Sequence, residues 1–141
     1  LSLSGMWIRD METKMDRKDG NKRAVGAIGE EIAEEYLKKN NYVILEKNFR
    51  YRRLGEIDII SREKNYVCFV EVKTRSSVEY GYPREAVNRK KQENIRKLAQ
   101  IYLAQRNINN ADIRFDVVEV YIEKGDNDIQ VKKVSLIKNA F

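Results

Sequence analysis

The chain has 141 residues, enough for one domain with a single core, and its 28 Lys and Arg against 22 Asp and Glu leave a formal net charge of +6. It contains no histidine, which excludes a Ser-His-Asp or Cys-His nucleophile, a histidine general base and a histidine-containing zinc site. The single cysteine, Cys68, can form no disulfide within the chain, and with the lack of a long apolar run it predicts a cytoplasmic protein without a membrane partner.

The N-terminal segment differs from the rest of the chain. Residues 1–20 are rich in charge without a sustained hydrophobic period, so we expect a poorly ordered N-terminal extension before one domain over 21–141. Apolar residues then recur at helical spacing over 24–39, and the Asn40-Asn41 pair predicts the end of that helix.

The remaining segments alternate between strand and helix patterns. The predicted elements are strands over 42–46 with a further extended stretch at 48–51, over 56–61 and over 65–73, a helix from Pro83 to about Arg106, and strands over 113–122 and 129–137. In this αβββαββ order the long helix crosses between the third and fourth strands. The order predicts an α/β domain with a central mixed β-sheet flanked by helices.

The second and third predicted strands carry charges among apolar residues. The second opens with Gly-Glu-Ile-Asp, which places Asp58 before Ile59 and Ile60, and the third reads Phe-Val-Glu-Val-Lys with Glu71 and Lys73. Side chains alternate along a strand, so Glu71 and Lys73 share a face, and Asp58 can join them from the neighbouring strand. Burying an ionised group is costly without a partner, so the three indicate either a site for a divalent metal and an attacking water or a structural ion-pair network.

Basic residues flank this acidic segment on both sides in the chain. One cluster precedes the second strand, another opens the long helix, and one arginine follows Lys73. A charge run is commonly only a solvated surface, but two clusters beside one acidic site favour contacts with nucleic-acid phosphates. The residues assigned to such contacts are Arg50, Arg52, Arg53, Arg75, Arg89, Lys90 and Lys91.

At these residues the sequence resembles the PD-(D/E)xK superfamily of restriction-endonuclease-like nucleases. More closely, it resembles the YraN-like family of small bacterial proteins related to archaeal Holliday junction resolvases. The matching motifs occur in the family's order over about 26–120. They are Gly29-Glu30, Asn48-Phe49-Arg50, Gly55-Glu56-Ile57-Asp58, Phe69-Val70-Glu71-Val72-Lys73, Gly81 with Pro83, and Arg114-Phe115-Asp116-Val117-Val118. The resemblance implies a restriction-endonuclease-like core.

The same resemblance implies roles for single residues. Asp58 and Glu71 would bind Mg²⁺ or Mn²⁺ together with the Val72 carbonyl, and Lys73 would orient or activate the attacking water. Glu30 would complete the site from the first helix, through a water or a second ion, and the alternative is an exposed helix carboxylate. Glu56 is expected to support the ligands from the strand edge.

The expected function is metal-dependent endonucleolytic cleavage of DNA, with branched or Holliday-junction DNA as the favoured substrate in recombination or repair. A two-fold substrate would call for a homodimer. The Gly-Glu-Ile-Asp strand lacks a proline before its aspartate, which bears on junction specificity more than on metal binding. Two alternatives are a nucleic-acid-binding module with a vestigial nuclease site and a partner-binding protein unrelated to nucleic acid.

Overall fold

The computed structural model describes residues 22–76 and 87–141, which form two helices and five strands. Their bounds are α1 Lys22–Lys39, β1 Val43–Arg50, β2 Glu56–Glu63, β3 Tyr66–Ser76, α2 Arg89–Gln105, β4 Asp112–Lys124 and β5 Ile129–Ile137. The predicted order αβββαββ is confirmed.

The five strands form one mixed sheet in the order β1-β2-β3-β4-β5. Neighbouring strands are antiparallel, except that β3 and β4 run parallel over 11 residue pairs. Parallel strands need a long connection, and α2 provides it between β3 and β4, as the sequence predicts. Neither of the two described helices is long and apolar enough to cross a membrane.

Each face of the sheet carries its own core. Under α1, the helix residues Ile32 and Leu37 pack against Val70 and Val118 of the central strands. On the other face, a second core joins α2 to the side chains that alternate with these along the strands. Its helix members are Ile95, Leu98, Ala99 and Tyr102. The central strands are therefore covered on both sides, which explains their nearly continuous apolar sequence.

Helix α2 begins later than the sequence predicts. Asn88 has an extended backbone, with φ −69° and ψ 162°, and its side chain accepts a hydrogen bond from the N–H of Lys91 at 2.8 Å. This N-cap fixes the first helical residue as Arg89, so the prediction of a helix starting at Pro83 is wrong. Pro83 itself and the extension predicted over 1–20 lie outside the described residues.

A buried polar network lies at the end of the sheet where β4 begins. Asp116 is fully buried and accepts hydrogen bonds from Arg114 Nε at 2.9 Å, from the Tyr42 hydroxyl at 3.1 Å and from the Asn139 N–H at 2.9 Å. Arg114 also donates to Glu63 at 2.8 Å. Asp116 alternates with Phe115 and Val117 of the α2-side core, so it belongs to the opposite face of β4.

Candidate metal centre

Near Asp58 the paired strands β1 and β2 twist, so that residues on either side of Asp58 face different helices. Ile57 packs in the core under α2, whereas Ile59, two residues further along, packs in the core under α1. Opposite this step on β1, Asn48 has a left-handed backbone with φ 54°, a conformation that Asn adopts more readily than most residues. The strict alternation expected over this strand therefore fails at Asp58, which lies at the twist between the two faces.

Asp58 also lies where β2 separates from β3. The backbone pairing of the two strands ends at Ile59, opposite Val70. One residue beyond, Asp58 Oδ2 accepts a hydrogen bond from the Val72 N–H at 2.8 Å, which ties the strands together through a side chain. The Glu71 carboxylate is close enough to Asp58 to help raise the pKa of Asp58. The structure therefore brings Asp58 and Glu71 together, and their role as metal ligands stays a prediction.

Two further carboxylates reach the same place from different elements. Glu30 on α1, Glu56 at the start of β2 and Asp58 each offer one oxygen, and these oxygens lie within 4.8 Å of one another. The Asn48 side-chain amide donates to Glu30 Oε1 at 2.9 Å and to Glu56 Oε1 at 3.1 Å. Glu30 is half-buried, in contrast to the exposed helix carboxylate that was its alternative interpretation.

The position of Glu30 depends on the glycine that precedes it. Gly29 is buried, and a Cβ at this position would collide with the Thr74 hydroxyl and lie 3.2 Å from the Thr74 Cβ. The absence of a side chain therefore lets α1 approach β3 closely and carries Glu30 to the sheet.

Replacing Gly29 by alanine should destabilise the protein and displace Glu30. Overpacking of this kind costs about 1–3 kcal/mol, more than the gain of roughly 1 kcal/mol in helix propensity. The matched control is Gly26→Ala in the same helix, because a Cβ there meets nothing within 4 Å and should stabilise. Urea unfolding of both variants measures the difference, and equal stability changes would contradict the close approach.

Of the carboxylates of Glu30, Glu56, Asp58 and Glu71, only two form an ion pair with a cationic side chain in the described part of the chain. Lys91 Nζ lies 2.7 Å from Glu71 Oε2, and Arg50 Nε lies 2.6 Å from Glu56 Oε2. Among the described residues, Glu30 and Asp58 form no ion pair. Desolvation and the neighbouring Glu71 raise the pKa of Asp58 well above its usual range, and burial together with Glu56 and Glu71 raises the pKa of Glu30. Burial alone would lower the pKa of Lys91, but Glu71 raises it.

These residues fit a divalent cation. Glu71 Oε1 is buried and has no hydrogen-bond partner among the described residues, so a good acceptor is directed at no donor. Carboxylate oxygens are the ligands that Mg²⁺ and Mn²⁺ take, and a charge of two would balance the two carboxylates that lack a cation. The group whose oxygens lie close enough together to hold a metal ion is Glu30, Glu56 and Asp58, and Glu71 borders it.

A cavity of about 340 Å³ opens beside this cluster. One wall carries Gly55, Glu56 and Asp58 from the start of β2, and the other carries Asn88, Lys90 and Lys91 from the start of α2. Acidic side chains thus line one side of the cleft, and two lysines and an asparagine line the other. This arrangement suits an anionic ligand, because a metal ion on the acidic side would help to neutralise its charge.

Comparison with known proteins places the chain in a family. The model of "Uncharacterised protein family UPF0102" matches residues 29–120. The chain belongs to UPF0102. A UPF0102 protein of Acetivibrio thermocellus is 70% identical over 131 residues, covering 93% of this chain and 100% of the relative. One from Caldanaerobacter subterraneus subsp. tengcongensis is 49% identical, covering 88% and 99%. One from Caldicellulosiruptor saccharolyticus is 48% identical, covering 86% and 99%.

The UPF0102 match includes Glu30, Glu56, Asp58 and Glu71 and both flanking basic segments. The family description names no activity, so the chemistry of the UPF0102 site follows from its residues alone.

The basic residues predicted to bind phosphates fall into two groups in this UPF0102 protein. Arg50, Arg52, Arg53, Arg89, Lys90 and Lys91 are exposed, in β1 and its turn to β2 or at the start of α2. Arg75 differs, because its side chain is only 12% exposed and its Nε donates to buried Glu119 at 2.9 Å. The structure assigns Arg75 to the sheet interior, so a phosphate contact for Arg75 is disfavoured.

Lys73 is the third residue of the predicted catalytic set, and its role toward water stays a prediction. It lies two residues after Glu71 on β3, is half-buried and forms no ion pair among the described residues. Its ammonium is therefore not committed to a carboxylate, in contrast to Lys91 and Arg75.

Sequence reasoning missed three features of the UPF0102 site. The sequence predicts a supporting strand-edge role for Glu56, but its carboxylate shares the cluster with Glu30 and Asp58. The sequence predicts no contact for Asn48, which bridges two of these acids. It predicts only a phosphate contact for Lys91, which pairs with Glu71. An asparagine inside a strand pattern, where a β-branched residue is usual, was the one available signal for Asn48.

Proposed function

We propose that this UPF0102 protein is a metal-dependent endonuclease that hydrolyses phosphodiester bonds in DNA with a PD-(D/E)xK-type site. The observation that carries the proposal is the meeting of buried Asp58 and Glu71, with Lys73 next on the same strand, beside a cleft with a basic wall. Glu71 Oε1 is buried and has no hydrogen-bond partner among the described residues, so this oxygen remains available to an ion.

The residues divide into distinct tasks. A divalent ion bound here would supply Lewis-acid stabilisation of the phosphate and a water of lowered pKa. Asp58 is oriented by the Val72 N–H, and Glu71 keeps one buried oxygen without a hydrogen-bond partner among the described residues. Lys73 would orient the attacking water and hold a phosphate oxygen by its compact charge. Glu30 and Glu56, linked by Asn48, complete the oxygen set from the other side.

Two exposed basic surfaces extend the site toward a polyanion. Arg52 and Arg53 lie in the β1–β2 turn, while Arg89 and Lys90 begin the helix across the cleft. Cations on both sides of a metal site favour a backbone that passes between them, and contacts of this kind position DNA without reading its sequence. Branched or junction DNA, cut by a homodimer in recombination or repair, is the substrate class that we propose.

The decisive experiment measures cleavage of end-labelled linear, flapped and four-way DNA in Mg²⁺, Mn²⁺ or EDTA. Products are expected with either metal ion and none in EDTA. Asp58→Asn preserves the side-chain shape but removes the charge, and should lower the rate roughly a thousandfold. Glu123→Gln, an exposed acid that pairs with Lys132, is the matched control and should cut normally.

The same experiment separates the alternatives. DNA binding without cleavage by the folded protein, in any of these metals, would favour a nucleic-acid-binding module with an inactive site. Neither binding nor cleavage would favour a partner-binding protein. Equal cleavage by the Asp58→Asn variant and the wild type would show that the cleavage does not take place at this site.

A further inference from the structure

We propose that Lys91 and the divalent ion exchange places on Glu71. In the metal-free protein Lys91 neutralises Glu71, and when the ion binds, the ammonium leaves for a DNA phosphate in the cleft. This inference rests on the proposed function, because it concerns the same site and assigns Lys91 a role toward its ligands.

The first support is geometric. Glu71 is almost fully buried with a side chain 3% exposed, yet Lys91 Nζ lies 2.7 Å from its Oε2. Lysine cannot take part in a metal's ligand set while protonated, so an ion that takes up Glu71 competes with this ammonium for the same carboxylate. The buried Oε1 has no hydrogen-bond partner among the described residues, which leaves Glu71 half satisfied by Lys91 alone.

The second support is that only the Lys91 side chain needs to move. Its backbone is fixed, because its N–H donates to the Asn88 cap at 2.8 Å and Ile95, one turn further along α2, is buried in the core. Its side chain is 47% exposed and lines the cleft. A lysine side chain is long and flexible, so the ammonium can leave Glu71 and stay in the cavity without any change in the helix.

The third support is the charge at the start of α2. The first helical turn carries Arg89, Lys90 and Lys91 and no acid. Cations at a helix N-terminus oppose the helix dipole, and the backbone N–H groups there favour an anion. Glu71 supplies one such anion, and a phosphate would supply another once the metal ion holds Glu71. Metal and DNA should therefore bind cooperatively.

The test measures Mn²⁺ affinity by isothermal titration calorimetry on the whole chain without DNA. Lys91→Met keeps most of the apolar stem and removes the competing charge, so it should bind Mn²⁺ about fivefold more tightly than the wild type. Lys91→Ala should behave likewise. Lys97→Ala is the matched control, because Lys97 is an exposed lysine of the same helix that does not line the cleft and forms no ion pair among the described residues, and it should leave Mn²⁺ affinity unchanged.

A second measurement follows DNA binding by fluorescence anisotropy in Ca²⁺ and in EDTA. Wild-type affinity should rise with Ca²⁺, and Lys91→Met should lose most of that rise. Unchanged or weaker Mn²⁺ binding by both Lys91 variants would overturn the exchange while the proposed function stands. Failure of the wild type and both variants to bind Mn²⁺ would overturn the proposed function and the exchange with it.

Discussion

Lys73→Ala should reduce DNA cleavage about a thousandfold while metal and DNA affinities stay within a few-fold of the wild type. Lys73 lies two residues beyond Glu71 on β3 and forms no ion pair among the described residues, so its removal leaves no buried carboxylate unpaired. In the proposed mechanism its charge acts on the water and the phosphate. The loss should therefore appear in the cleavage step and leave binding nearly intact.

Single-turnover cleavage, calorimetric Mn²⁺ titration and DNA anisotropy measure the three quantities on one preparation. Lys97→Ala on the exposed surface of α2 is the matched control and should change none of them. If Lys73→Ala loses Mn²⁺ binding, DNA binding and cleavage to the same extent, Lys73 is structural and the water-orienting role is wrong.

Local pattern was enough to predict much of the fold. The αβββαββ order follows from the spacing of apolar residues, and the predicted bounds of α1 and β5 lie within two residues of those observed. The common face of Glu71 and Lys73 follows from strand alternation over a segment that pairs regularly with β4. In these cases each residue's position depends on its near neighbours in the chain.

The remainder of the site depends on contacts that local pattern does not encode. Asp58 lies at its position because β2 leaves β3 there and because Asn48 adopts a left-handed backbone opposite it. Glu30 joins the cluster because Gly29 lets α1 approach Thr74, a contact between elements 45 positions apart. Periodicity could place Glu30 near the edge of the apolar stripe of α1, but it could not show how closely the helix packs.

Arg75 is a second case in which a contact with a distant residue decides what the side chain does. In the sequence, Arg75 resembles Lys73 as a cation at the end of β3, and the pattern predicts contacts with phosphate or water for both. The parallel pairing with β4 brings Glu119 beside the strand end, and the arginine pairs with that buried carboxylate. Which of two neighbouring cations stays available was therefore decided by a residue 44 positions away.

The largest expected effect on stability comes from Arg114→Ala. The Arg114 side chain is 11% exposed and donates to fully buried Asp116 and to Glu63. Its removal would leave Asp116 with the Tyr42 hydroxyl and the Asn139 N–H but without a neutralising charge from Arg114. Breaking a buried ion pair from one side costs about 3–5 kcal/mol, so the free energy of unfolding should fall by that amount.

Urea unfolding of the variant and of Arg62→Ala tests this expectation, because Arg62 is exposed on β2 and its loss should change stability by less than about 0.5 kcal/mol.

The dependence of stability on acidic pH gives an independent check. Burial raises the pKa of Glu63, but Lys138 and Arg114 outweigh it and hold that pKa below the usual 4.5. A lowered folded pKa stabilises the protein above pH 4.5, and this contribution disappears as the pH falls through the folded value. The stability gap between the wild type and Arg114→Ala should therefore narrow in acid, and a gap that is small at pH 7 or widens in acid would contradict the network's role.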